Sequence, residues 1–175
     1  MGALLGSNDS KNVVIAITPP TGPAGVPLTS LVLALVPSAL GITLPFEITG
    51  KMSGQFASAQ RTAAQVTYTG GADGKVNRTV SHDKSGTFVL TLMQNAPSVS
   101  LLTSMVRYED VNRVPVIFNA TITDIDNGSK YDGKQCSVAG YANRTWSSDA
   151  PASLEFTILI AELAPIEITL PLFGV

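Results

Sequence analysis

Three stretches of this chain alternate apolar and polar side chains with a period of two. That pattern excludes a helix in each of them and demands a sheet with one buried face. In residues 86–93, Phe88, Leu90 and Leu92 share one face, while Thr87, Val89, Thr91 and Met93 share the other. In residues 114–124, Val116, Phe118, Ala120 and Ile122 oppose Ile117, Asn119, Thr121 and Thr123. In residues 154–161, Phe156, Ile158 and Ile160 form a third stripe, in a strand expected to close the main sheet. Residues 13–17 read as a further short strand. Asp126-Asn127-Gly128-Ser129 and Asp132-Gly133 are turn signals, after which residues 135–146 resume extended structure, so a hairpin is expected there.

Helical spacing occurs convincingly once, after Asn95-Ala96-Pro97-Ser98, where Leu101, Leu102, Met105 and Val106 fall on one side. Pro97 suits a first turn, and Asn95 or Ser98 are the expected caps. The expected fold is therefore mainly β, a sandwich or barrel-like subunit with one flanking helix and extended loops and arms. Residues 1–175 are expected to form a single domain. Residues 163–175, with Pro165 and Pro171, read as a C-terminal arm that needs something to pack on.

Residues 12–46 contain no Asp, Glu, Lys, Arg or His, and residues 28–46 are long enough to cross a membrane as a helix. Pro37, Gly41 and Pro45 interrupt such a helix, and Thr29, Ser30, Ser38 and Thr43 dilute it. Two apolar extended segments, 28–36 and 41–49, are the better expectation, with 18–25 as a loop.

Charged residues make up only 14% of the chain against 45% apolar, and mean hydropathy is +0.26. So little charge leaves apolar surface to cover, which argues for burial against other copies or another partner. A net charge of −2 with no polybasic run gives no support to tight binding of nucleic acid and is compatible with its passage. Cys136 is the only cysteine, so the chain has no internal disulfide and no cysteine cluster for zinc. There is no basic residue before Lys11, which argues against a secretory signal.

No pattern for catalysis survives inspection. Ser81-His82-Asp83 has the residue types of a hydrolase triad, but neighbours on an extended chain point to alternate sides and cannot form a relay. Counted from Asp124, a calcium loop would need Gly at Ser129 and Glu at Gln135. Five Asn-x-Ser/Thr matches, beginning at Asn8, Asn77, Asn119, Asn127 and Asn143, reflect Ser/Thr/Asn richness. No enzyme activity, cofactor or metal is expected.

The stretch 68–95 carries Gly71-Ala72-Asp73-Gly74, then Asp83-Lys84-Ser85-Gly86 and Leu92-Met93-Gln94, followed later by Ile125-Asp126-Asn127-Gly128 and Gly140-Tyr141-Ala142. This order resembles the bacteriophage tail tube protein family over residues 56–161, and against that family's pattern residues 12–55 are an expected apolar insertion. The resemblance implies a virion structural protein, assembled in the bacterial host cytoplasm into hexameric rings. Those rings stack into a tube through which the genome leaves. It also implies sheath (if the tail contracts), baseplate and tail-terminator proteins as partners, and DNA passing without specific binding. On that pattern Gly70, Gly71, Asp73, Gly74, Lys75, Asn77 and Arg78 belong to a loop that reaches the adjacent ring. Thr87, Thr91, Asn119, Thr121 and Thr123 are candidates for a neutral lumen face, although alternation does not distinguish lumen from outer wall. The other readings are the tube of a related contractile secretion or injection apparatus, and a membrane- or surface-binding β-protein.

Overall fold

The computed structural model describes residues 13–19, 45–51, 55–72, 74–125, 128–145 and 152–167. In chain order these form β1 (Val13–Thr18), β2 (Phe46–Glu47), β3 (Ala57–Arg61), β4 (Val66–Gly70), β5 (Val76–Val80) and β6 (Gly86–Met93). There follow α1 (Pro97–Asn112), β7 (Phe118–Asp124), β8 (Ser129–Val138), β9 (Asn143–Thr145) and β10 (Ser153–Glu167). Eight strands make one antiparallel sheet, in the order β2-β1-β7-β8-β10-β6-β3 with β9 added beside β10; β4 and β5 pair only with each other.

The alternating stripes become the buried face. Phe88, Leu90 and Leu92 of β6, Phe118, Ala120 and Ile122 of β7, and Phe156, Ile158 and Ile160 of β10 all enter one core. Leu101, Leu102, Met105 and Val106 of α1 join it, so the helix packs its apolar stripe on the inner face of the sheet. At roughly 1.5–3 kcal/mol for each large apolar side chain removed from water, this shared core dominates the fold.

A single segment touches both ends of the sheet. Residues 46–47 pair with β1 and Ile48 N–H donates to Ile15 O, whereas Lys51 bridges to Leu92 and β3 then runs along β6. The sheet thus curls round on itself, and the Lys51 ammonium bonds back to the Val13 carbonyl.

Several expectations need correction. β10 does not close the sheet; it lies inside it, between β8 and β6. It also continues to Glu167, so residues 163–167 of the expected arm are strand, with Leu163 buried. Asp132-Gly133 is not a turn but lies within β8. A Cβ on Gly133 would sit 3.0 Å from Cys136 Sγ and 3.2 Å from Ile160, so glycine serves close packing there. A register shift opposite Phe118/Ala120, with Gln135 at φ 52°, reverses which β8 residues face inward. Residues 114–117 precede β7 rather than belonging to it, although Val116 is buried.

The helix caps also differ from expectation. Ala96 is the N-cap and makes no side-chain cap bond, while Pro97 opens the first turn as expected. Of the two expected apolar segments, 28–36 lies outside the described residues, and the described part of 41–49 contains only β2 as strand. Among the described residues no helix is long and apolar enough to cross a membrane.

Candidate assembly surfaces

Gly70 to Arg78 were expected in a loop reaching the adjacent ring, with a solvated hairpin as the alternative; the structure folds residues 66–80 as a hairpin. Thr67, Thr69, Asn77 and Thr79 alternate with Val66, Tyr68, Val76 and Val80, and the two arms pair as a two-stranded ribbon. Gly71 N–H donates to Lys75 O at 2.7 Å and Gly74 N–H to Gly71 O at 3.0 Å, with Gly74 at φ +76°, where a side chain would be strained. The register places Val66, Tyr68 and Gly70 opposite Val80, Arg78 and Val76, so one face is apolar with a single guanidinium. The other face carries Thr67, Thr69, Asn77 and Thr79 and is neutral and polar.

Nearly all of this hairpin is exposed, including Tyr68 at 69% and Val76 at 63%. An isolated two-stranded hairpin is at best marginally stable in water, and an exposed apolar face on one calls for a partner. Of the loop residues expected to reach outward, Gly70, Gly71, Gly74, Lys75, Asn77 and Arg78 all lie in this projection, while Asp73 lies outside the described residues.

The stem ties the hairpin to the main sheet. Ser81 N–H donates to Gln65 O, Thr62 N–H to Ser85 O, and Leu163 N–H to Lys84 O, all between 2.8 and 3.0 Å. Arg61 Nη2 donates to Leu163 O at 3.5 Å. Asp83 accepts from Ser85 N–H at 2.8 Å while its own N–H donates to Ser81 Oγ. The Ser-His-Asp run is therefore part of a local turn. The Ser85 bonds, aided by the Arg61 charge, hold the Asp83 carboxyl below its ordinary range.

Pairing directions fix where the exposed apolar groups sit. The hairpin springs from the end of β3 and the start of β6, the same end of the sheet as the β7–β8 turn and the end of β10. The helix and the β8–β9 loop lie at the opposite end, where β6 finishes and β7 starts. Ten large apolar side chains are exposed among the described residues. Tyr68, Val76, Val80, Ile125 and Ile166 lie at the hairpin end, and Met93, Val111, Val114 and Tyr141 at the helix end. Only Leu159 lies in the wall between them. The sequence showed these residues but not their segregation, since Val111 and Tyr141 are distant in the chain.

The five candidate lumen residues share the outer face of the sheet and are all half-buried. Thr87 and Thr91 lie on β6, and Asn119, Thr121 and Thr123 on β7, with β8 and β10 between them. Those two strands bring charges to the same face. Lys130 pairs with Asp132 at 3.1 Å, and Glu162 with both Lys84 and Lys134 at 3.5 and 3.6 Å. Thr121 Oγ1 donates to Asp132 Oδ1 at 3.1 Å. Such exposed pairs contribute little stability, about 0–1 kcal/mol each, and Glu155, opposite Thr91, adds a further carboxylate to the same face. No group of three or more metal-ligating side chains occurs among the described residues.

No protein-family model and no curated protein matches the chain. Solved structures do share its fold. A chain in the cryo-EM structure of the anti-feeding prophage cap (AFP tube terminating cap) aligns with TM-score 0.52 and 6% identity, over 96% of each chain. A chain in the sheath-tube complex of an extracellular contractile injection system, PVC, in its extended state aligns with TM-score 0.52 and 8% identity, over 94% of this chain and 95% of that one. A chain in the sheath/tube terminator of the same kind of system aligns with TM-score 0.52 and 9% identity, over 90% and 95%. The mainly antiparallel β fold with one helix is thus shared with chains of a prophage tube terminating cap and of the sheath-tube and terminator assemblies of a contractile injection system.

Proposed function

We propose that this chain is a structural subunit of a phage-tail-like tube, six copies to a ring, with rings stacked along the tube axis. The observation that carries this reading is the segregation of exposed apolar side chains to opposite ends of the subunit, one of them a projecting hairpin. Heterologous contacts between unlike ends extend without limit in one direction, as a tube requires. Residues 70–80 contribute the contact with the next ring. Thr87, Thr91, Asn119, Thr121 and Thr123, together with the mixed charges of β8 and β10, supply a lumen wall that does not hold a passing polyanion. The subunit needs no catalytic residue or cofactor, and belongs in a virion tail assembled in the host cytoplasm with baseplate, terminator and, in a contractile particle, sheath proteins.

Negative-stain imaging of the purified chain under assembly conditions, with the particle's other tail proteins added, tests this reading. Rings and stacked tubes are expected, and persistent monomers would overturn it. Deleting residues 70–80 is expected to leave the sheet folded while abolishing stacking; tubes at normal yield would remove the hairpin's role.

The fold shared with contractile injection systems favours a second reading, in which the same tube belongs to a particle that delivers protein. Neighbouring capsid and portal genes favour a virion; their absence beside sheath and baseplate genes favours the injection apparatus.

A further inference from the structure

The helix end carries a local conflict that a partner would relieve. The last turn of α1 contains Glu109 and Asp110 and no basic residue, although the C-terminus of a helix favours cations. Arg107 stands one turn earlier and Arg113 forms the left-handed cap, its N–H donating to Glu109 O at 2.8 Å. Beside this turn a groove of about 380 Å³ runs between the helix and the β8–β9 loop, floored by Val106, Pro115 and Val138 and edged by Glu109, Asp110, Arg113 and Gly140. Val111, 72% exposed, follows Asp110 in the same helical turn, and Tyr141, 58% exposed, follows Gly140 and donates its hydroxyl to the Asp110 carboxylate. The apolar floor and the excess of two carboxylates over the Arg113 guanidinium complement the hairpin face, where Tyr68, Val76 and Val80 surround Arg78.

The two surfaces cannot meet within one chain, because they occupy opposite ends of the sheet. We propose that the apolar face of the β4–β5 hairpin seats in the groove beside the C-terminal turn of α1 of a second copy, with Arg78 against Glu109 and Asp110. This deepens the tube reading and rests on it: the occupant is another copy of this chain in the adjacent ring. The seat removes Tyr68 and Val76 from water and brings a cation to the negative end of the helix. The neutral polar face of the hairpin, with Thr67, Thr69, Asn77 and Thr79, is left to face water.

Thiol cross-linking of the full chain tests the seat. Cys136 is fully buried, so engineered thiols can be placed in the otherwise native chain. A chain carrying both Val76→Cys and Val111→Cys, treated with a short bis-maleimide under assembly conditions, is expected to give a ladder of covalent multimers. Either substitution alone should stop at dimers. Adding Arg78→Glu should weaken the ladder by roughly tenfold or more, and a further Asp110→Arg should restore it.

Imaging the same samples separates the seat from the reading beneath it. Tubes without a ladder overturn the seat and leave the tube standing. A ladder without tubes supports the end-to-end contact and overturns the tube, and loss of both overturns the two together. A ladder indifferent to Arg78→Glu overturns the pairing of Arg78 with the helix end.

Discussion

Ser98 Oγ accepts the backbone N–H of Thr49 at 2.8 Å, tying the first turn of α1 to the segment that curls the sheet closed. Ser98 is the only fully buried polar residue among the described ones, and its hydroxyl also lies 3.4 Å from Thr49 Oγ1. Ser98→Ala removes this acceptor and is expected to cost about 1 kcal/mol. The better helix propensity of alanine offsets a few tenths of that. Thermal unfolding followed by circular dichroism should show a midpoint lower by about 2–4 °C per kcal/mol lost. An unchanged midpoint would mean that the bond does not help to close the sheet.

Gly86 sits where β6 meets β3 and the end of β10. A Cβ there would lie 2.6 Å from Leu163 Cδ2 and 2.8 Å from Gln60 O, and the second neighbour is backbone within the β3–β6 pairing. Gly86→Ala is expected to destabilise by about 1–3 kcal/mol through overpacking. Gly70→Ala in the hairpin meets nothing within 4 Å and should change stability by less than about 0.5 kcal/mol. Urea midpoints of the two variants at equal slope decide between them.

Burial in the core pushes the Cys136 thiol up from its ordinary 9.0 to about 12. A group whose pKa is higher in the folded state stabilises the fold below its unfolded pKa and loses that contribution as pH rises through the folded value. Stability is therefore expected to fall between pH 9 and 12. Cys136→Ser should flatten that slope while lowering stability throughout. A thiol reagent at neutral pH should leave the folded chain unlabelled and label it in denaturant; fast labelling of the native chain would contradict the burial.

Asp83 behaves in the opposite sense. Its carboxyl is held below the ordinary 3.8, first by the backbone bond from Ser85, then by the Ser85 side chain and Arg61. A depressed folded pKa gives a contribution that is present above the unfolded value and is lost as pH falls through the folded one. An NMR titration should place the Asp83 midpoint below that of an unstructured aspartate. Asp83→Asn should reduce the acid dependence of hairpin-stem order, read from amide exchange at Ser85. A midpoint at the ordinary value would show that the turn does not persist in solution.

Residues 86–93 and 154–161 needed only their own alternation to be read as strands, since a period of two assigns every side chain to a face before any neighbour is known. The stripe of Leu101, Leu102, Met105 and Val106 likewise declared a helix. Those local patterns determined the mainly β class and the presence of one helix, and low charge determined that apolar surface needed a partner.

Other features were legible only once distant segments met. Asp132-Gly133 carries a turn signature, but its glycine answers to Ile160, and Ser98 caps no helix because it serves Thr49. The hairpin of residues 66–80 was legible only as an alternative to a loop, because its alternation between valine or tyrosine and threonine or asparagine is a weak contrast beside its glycines. Which end of the sheet each exposed side chain occupies, and so the opposition of Tyr68 and Val76 to Val111 and Tyr141, depended on strand order. Strand order is set by pairings between residues far apart in the chain, and no local period encodes them.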